Sequence, residues 1–282
     1  MMKMKKLLAL LLALCLTLAL AACGGEGGSA NSEPAGSAAS GGTEGDLLAQ
    51  IQGKGEITVA MEGTWAPWTF HDEDDNLVGY DVEVSQKIGE KLGVKVNFIE
   101  GEWDGLLAGL DSGRYDLMVN GVSVDEERKE KYDFSIPYAA NRTAVIVKNE
   151  NEDIKSMEDL EGKHTANTLN STYAKIAEAH GAEVTGVDDL NQTFELLFSG
   201  RIDATLNDEV AYYDYMKNHP DADIKIAVLS DEAVQVAIPM RKGEETRTLR
   251  EAVDKALAEL KEDGTLTELS EKYFGVDISQ AE

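Results

Sequence analysis

The chain repeats itself. Ser112 to Asn120 and Ser199 to Asn207 both read S-G-R-x-D-x-x-x-N, at an offset of 87 residues (199 − 112). Upstream, Lys87 to Val96 and Lys175 to Val184 share K-I-x-E-x-x-G-x-x-V at an offset of 88 (175 − 87). Two matches at almost one offset mark an internal duplication whose period is too long for a solenoid. A unit of that size is a small α/β lobe. Each unit reads helix, strand, helix, turn, strand. Ser112-Gly113 and Ser199-Gly200 stop the second helix, and the next strand ends at Asn120 or Asn207. The expected fold is therefore α/β, with two lobes of one design. Open α/β sheets bind ligands beyond the carboxyl ends of their strands, which directs attention to the residues just past those asparagines.

In the first unit these are Gly121, Ser123 and Arg128, with Asp125 placed to cap a charged helix. An arginine in a first turn opposes the helix dipole, so local stability does not explain Arg128. A carboxylate site does, because a guanidinium matches a carboxylate bidentately and Ser123 and the amides after Gly121 add donors. The alternative is a surface ion pair with Glu126 or Glu130. In the second unit the residue is Asp208, which could hold a cation or simply cap the helix from Glu209 to Lys217. A cation on one lobe facing an anion on the other suits a zwitterion. Trp65 and Trp68 bracket Pro67 after the strand Ile57 to Met61, as ligand walls or as core, and Trp103 opens a helix that could line the same cleft. Asn170-Ser171-Thr172 begins a helix capped by Ser171 or Thr172, leaving free N–H groups beside the cleft.

Residues 1–22 read as a targeting segment: Lys3, Lys5 and Lys6 precede an apolar run of 14 residues, Leu7 to Leu20. That run is short of the roughly 18 a membrane span needs. Cys15 lies inside it, so no disulfide is expected; a core of this size does not need one. Residues 23–45, rich in Gly, Ser and Ala, read as a flexible tether with a reach of about 25 Å. Without the three leader lysines the chain keeps 23 basic residues (26 − 3) against 53 acidic, a net charge of −30. That excludes nucleic acid and anionic lipid as binding surfaces.

Thr143 to Val147 reads as the first crossover and Ala233 to Pro239 as the second. Lobe 1 then comprises 46–146 plus 236–282, and lobe 2 comprises 147–235. Leu249, Val253, Leu257 and Leu260 form the stripe of a closing helix, and a last helix ends at Tyr273-Phe274-Gly275. There is no G-x-S-x-G, no GxGxxG after a strand and no Walker motif. His71, His164, His180 and His219 are scattered without metal-ligand spacing, so neither cofactor nor metal is expected.

The stretches GTWAPWTF, GYDVEV, ERKEKYDFSIPY, LNDEVAYYDY and KYFG resemble bacterial polar amino-acid-binding lipoproteins, solute-binding protein family 3, over nearly all of 46–275. Leu20-Ala21-Ala22-Cys23 resembles their lipobox, which implies cleavage before a lipidated Cys23 and anchoring outside the cytoplasmic membrane. The resemblance implies a type II periplasmic-binding-protein fold with two crossover strands that hinges shut on its ligand. It also implies a monomer that hands an amino acid to an ABC permease and its ATPase. Arg128 and Ser123, with Thr172 nearby, would hold the α-carboxylate, and Asp208 the α-ammonium. Trp65 and Trp103 fall at aromatic-wall positions, and Glu62, Asn120 and Thr168 face the side chain. Asp125 stands where a threonine is usual, and Asn170 where glycine is common. TANTLNSTYAKIAEAHGAEV, ATLNDEVAYYDYMK and DADIKIA look most like the cystine- and cysteine-binding branch. Two other classes fit the same fold: an enzyme like the cyclohexadienyl dehydratases, for which Glu62 is the candidate acid or base, and a sensory module for a membrane kinase.

Overall fold

A computed structural model describes residues 45–280, so the expected leader, Cys23 and the tether up to residue 44 lie outside the described residues. α1 (Leu47–Lys54) leads into β1 (Glu56–Met61), and a small hairpin of β2 (Phe70–His71) and β3 (Leu77–Val78) follows. Then come α2 (Tyr80–Leu92), β4 (Lys95–Glu100), α3 (Trp103–Asp111), β5 (Leu117–Met118), α4 (Glu126–Lys131), β6 (Tyr132–Phe134) and β7 (Ala139–Asn141). The second lobe holds β8 (Thr143–Lys148), a 3-10 turn at Met157–Leu160, β9 (His164–Asn167), α5 (Thr172–Ala179) and β10 (Glu183–Gly186). It continues with α6 (Leu190–Phe198), β11 (Thr205–Asp208), α7 (Glu209–Asn218) and β12 (Ile224–Leu229). β13 (Val234–Val236) and β14 (Pro239–Arg241) return to the first lobe, which α8 (Glu244–Glu262) and α9 (Thr265–Phe274) complete.

The duplication is visible in the pairing. In the first lobe β4, β1 and β5 are parallel, in that order. In the second, β10 and β9 are parallel, and a parallel bridge from Thr165 to Ala204 joins β9 to the approach of β11. The repeated motif does the same local work twice. Gly113 (φ 69°) and Gly200 (φ 70°) take the left-handed conformation that ends a helix without Cβ strain. Asp116 accepts the Thr58 N–H at 2.8 Å and Asp203 accepts the His164 N–H at 2.8 Å. Each aspartate thereby ties its turn to a strand of its own lobe, β1 in the first and β9 in the second.

The run Thr143 to Val147, expected as the first crossover, is instead β8, the central strand between β11 and β12. Its residues Ala144 to Val147 are fully buried. A strand apolar on both faces needs cover on both faces, which a connector does not have. Alternation splits it: Ala144 and Ile146 pack with Phe194 and Leu197, while Val145 and Val147 pack with Leu160, Ala177 and Leu206. The two passages between lobes run where β7 lies antiparallel to β13, around 141–143 and 230–234. The first-lobe core forms as expected, with the stripe Leu249, Val253, Leu257 and Leu260 buried among Ile51, Ile57, Val59 and Ile88.

Candidate functional site

A cavity lies between the lobes, about 580 Å³ when the solvent-open space at its mouth is counted. Its wall includes Glu62, Trp65, Trp103, Gly121, Ser123, Arg128, Thr168, Ser171 and Thr172, all expected from sequence. It also includes Thr64, Asn167, Tyr173, Asp189, Leu190, Thr193 and Asn207. Asn167 and Asn207 sit at the carboxyl ends of β9 and β11, where the strand-end rule could have found them. Asp189 carries only the signal of a helix cap.

Two expected residues stand behind the wall. Asn120 accepts the Glu62 N–H at 2.7 Å and donates to Glu62 Oε2 at 2.6 Å, so it orients Glu62. Asp208 is fully buried. Its Oδ1 caps α7 by accepting the Ala211 N–H at 2.7 Å, and its Oδ2 accepts from Trp68 Nε1 at 2.8 Å and from the Tyr173 hydroxyl at 3.4 Å. Tyr173, its hydrogen-bond partner, lines the cavity, and Asp208 itself does not. Trp68 itself is core, fully buried, while the half-buried Trp65 stacks on it at 5.7 Å and faces the cavity.

The caps follow the sequence. Asp125 accepts the Arg128 N–H at 2.7 Å, and Ser171 accepts the Ala174 N–H at 3.1 Å. Asn170 adopts φ 59°, a conformation asparagine tolerates. With Ser171 as cap, the first-turn N–H groups of Thr172 and Tyr173 have no carbonyl of their own helix to bond.

Arg128 is 4 % exposed and lies over the Trp103 ring, 5.1 Å from its centroid. Nη1 donates to the Ser123 carbonyl at 2.9 Å and Nε approaches Asp125 at 3.5 Å, yet Nη2 has no partner. Thr172 Oγ1, Trp103 Nε1 and Asn167 Oδ1, on the same wall, are also buried and unpartnered. A buried guanidinium edge left unpaired is costly, so Arg128 Nη2, Thr172 Oγ1 and Trp103 Nε1 define a place for an anion, whereas Asn167 Oδ1 is an unpaired acceptor.

The carboxylates are held unlike surface ones. Burial pushes Glu62 up to about 7, against its bond from Asn120, and the charge of Asp189 adds to the rise. Burial raises Asp208 to about 6 and Asp81 to about 7; Asp81 accepts the Gly121 N–H at 2.6 Å and the Tyr138 hydroxyl at 2.7 Å. Folded values above the unfolded ones stabilise the protein below the ordinary carboxylate range, and that stability is lost as pH rises through about 6 to 7. The unliganded protein should therefore melt lower at pH 8 than at pH 5.5. A ligand ammonium favours the ionised carboxylates, so affinity should rise across the same interval. Melting curves at both values, with and without ligand, check both signs; affinity falling with pH would contradict the assignment.

The lobes meet around the cavity. Besides Trp68 and Asp208, Trp65 Nε1 donates to Asn207 at 3.3 Å, Asn170 Nδ2 to Asp104 at 2.9 Å and Lys175 Nζ to Glu127 at 2.6 Å. Two α/β lobes linked by paired passages and closed over a cavity with unpaired donors define a ligand receptor of the solute-binding class. Residues 57–276 match the bacterial extracellular solute-binding proteins, family 3, and the chain belongs to that family. It is 42 % identical over 278 residues to the L-cystine-binding protein TcyA of Bacillus subtilis (strain 168), covering 98 % of this chain and 100 % of that one. It is 38 % identical over 239 residues to the L-cystine-binding protein TcyJ of Escherichia coli (strain K12), covering 83 % and 88 %. An ancestral arginine-binding protein bound to arginine, 39 % identical, superposes with a TM-score of 0.73 over 78 % of this chain and 99 % of its own. The L-cystine solute receptor of Neisseria gonorrhoeae in its unliganded open conformation is 43 % identical but scores 0.57, over 84 % and 100 %. The lower score at higher identity fits lobes that are closed here and open there.

Proposed function

We propose that this chain is the extracytoplasmic receptor of an ABC importer, binding an amino acid between its lobes and passing it to a permease and its ATPase. L-cystine is the ligand favoured, because the relatives TcyA and TcyJ bind it and the match to TcyA spans both chains. The observation that carries the reading is the unpartnered Nη2 of the buried Arg128. The ligand α-carboxylate sits there, with Thr172 Oγ1 and the first-turn amides of α5, and Trp65 and Trp103 flank it. Asp208 supplies the negative potential for the α-ammonium from behind Tyr173. Thr168, Ser171, Ser123 and Gly121 complete the polar wall. Cys23 carries the lipid anchor, the tether holds the body off the membrane, and the receptor works as a monomer. Among the described residues no helix is long and apolar enough to cross a membrane.

A thermal-shift screen of the twenty amino acids plus L-cystine tests this. A ligand at 100 times its dissociation constant adds about 2.7 kcal/mol, a rise of several degrees. L-cystine should give the largest rise, and no rise with any amino acid would end the receptor reading.

A further inference from the structure

The loop that leads to Arg128 is hydrogen-bonded into the hinge. On one side of β13, the Val124 N–H donates to the Gln235 carbonyl at 2.9 Å and the Ala237 N–H to the Val122 carbonyl at 3.1 Å, with Ser123 bridged to Val236. On its other side β13 pairs with β7, and Tyr138, just ahead of β7, donates its N–H to the Val236 carbonyl at 3.0 Å. Residues 122–124 therefore form one edge of the ribbon by which the chain passes between the lobes, and β7 forms the other.

Asp81, in the first turn of α2, holds both edges. Its Oδ2 accepts the Gly121 N–H at 2.6 Å and its Oδ1 accepts the Tyr138 hydroxyl at 2.7 Å. The carboxylate is fully buried, stands outside the cavity wall and has only neutral partners. Burying a carboxylate without a cation is costly, so packing alone does not explain an aspartate here. What an aspartate offers is two oxygens that only accept, one for each donor. Its own N–H donates to the Trp68 carbonyl at 3.0 Å, and Trp68 Nε1 reaches Asp208 on the second lobe. Gly121 is in turn pressed against Trp65, whose ring would lie 2.7 Å from a Cβ at that position.

We infer that Asp81 is a positioning residue for ligand capture: it fixes the anion-binding loop to the hinge ribbon, so that seating a carboxylate on Arg128 and turning about β7 and β13 become one event. This rests on the receptor reading above. A ligand carboxylate holds the loop, Asp81 passes that hold to Tyr138 and β7, and release then requires the hinge to open against it.

Two variants test this. Tyr138→Phe removes the hydroxyl alone and keeps the ring that stacks on Tyr80 at 5.9 Å. Asp81→Asn keeps one acceptor oxygen and so can serve only one of the two donors. The probe is L-cystine, or whichever amino acid gives the largest rise in the thermal-shift screen. Stopped-flow tryptophan fluorescence, read from Trp65 and Trp68, should find release at least about tenfold faster in each variant. Association should stay within about threefold, because both variants keep Arg128 and the charge of the cleft wall. The double variant should release no faster than the faster single one, since both changes break the same link. Lower melting temperatures with release within threefold of the wild-type rate would make Asp81 a core residue only and overturn the inference. Additive effects in the double variant would overturn it as well. Should Asp81→Asn fail to fold, the release rate of Tyr138→Phe decides alone. A wild-type protein that binds no amino acid would overturn the receptor reading and this inference with it.

Discussion

Arg128→Lys is expected to lose amino-acid binding by about 30-fold to several thousandfold, for every ligand the cleft accepts. Removing one partner of a buried, hydrogen-bonded charge pair costs about 2–5 kcal/mol, much of it from stranding the other charge. Lysine keeps the charge and loses the fork. In this protein the fork is divided: Nη1 holds the Ser123 carbonyl at 2.9 Å, Nε faces Asp125, and Nη2 is left for the ligand. An ammonium cannot serve all three directions, and it lacks the flat face that lies over Trp103. Titration calorimetry reads the loss. A lysine variant within threefold of the wild-type protein would mean that charge alone, without the divided fork, sets the affinity.

The second large effect is expected at Asp208. Asp208→Asn should weaken binding at least about tenfold, because a fully buried carboxylate with no cationic partner loses the charge that draws the ligand's ammonium. The helix should survive, since an asparagine oxygen still accepts the Ala211 N–H and caps α7. One bond does suffer: Trp68 Nε1 would face an amide nitrogen in place of Oδ2, a loss on the order of 1 kcal/mol of stability in the closed form. Binding and melting temperature, measured on one preparation, separate the two roles. Near-native affinity with little change in melting temperature would assign Asp208 to capping alone, a role that asparagine also fills, and move the ammonium elsewhere.

What could be read from the sequence was what neighbours in the chain decide. The duplicated motif gave the two lobes because its serine, glycine and aspartate each act within their own lobe, ending a helix and pinning a strand. Asp125, Ser171 and Asp208 were legible as caps because a cap bonds an amide three residues on. The stripe on α8 was legible because its period is that of a helix.

What could not be read depends on residues far apart in the chain. The bond from Trp68 to Asp208 spans 140 positions, and no spacing rule announces it. It fixes Trp68 in the core, while Trp65, which the family resemblance puts at an aromatic-wall position, faces the cavity. Asn120 occupies the same place in the repeated motif as Asn207, yet it lies just past β5 and turns back to hold Glu62 while Asn207 faces the cavity. Asp189 joins the site only because the second lobe folds over the first. β8 read as a connector because the same apolar run serves a crossover or a central strand; only the pairing with β11 and β12 decides between them.

The most direct test of the account is a crystal structure of the protein with L-cystine. The account predicts the ligand between the lobes, with an α-carboxylate oxygen within about 3 Å of Arg128 Nη2 and of Thr172 Oγ1, so that both orphaned donors are paired. A ligand bound outside this cleft, or one inside it that leaves Arg128 Nη2 unpaired, would contradict it.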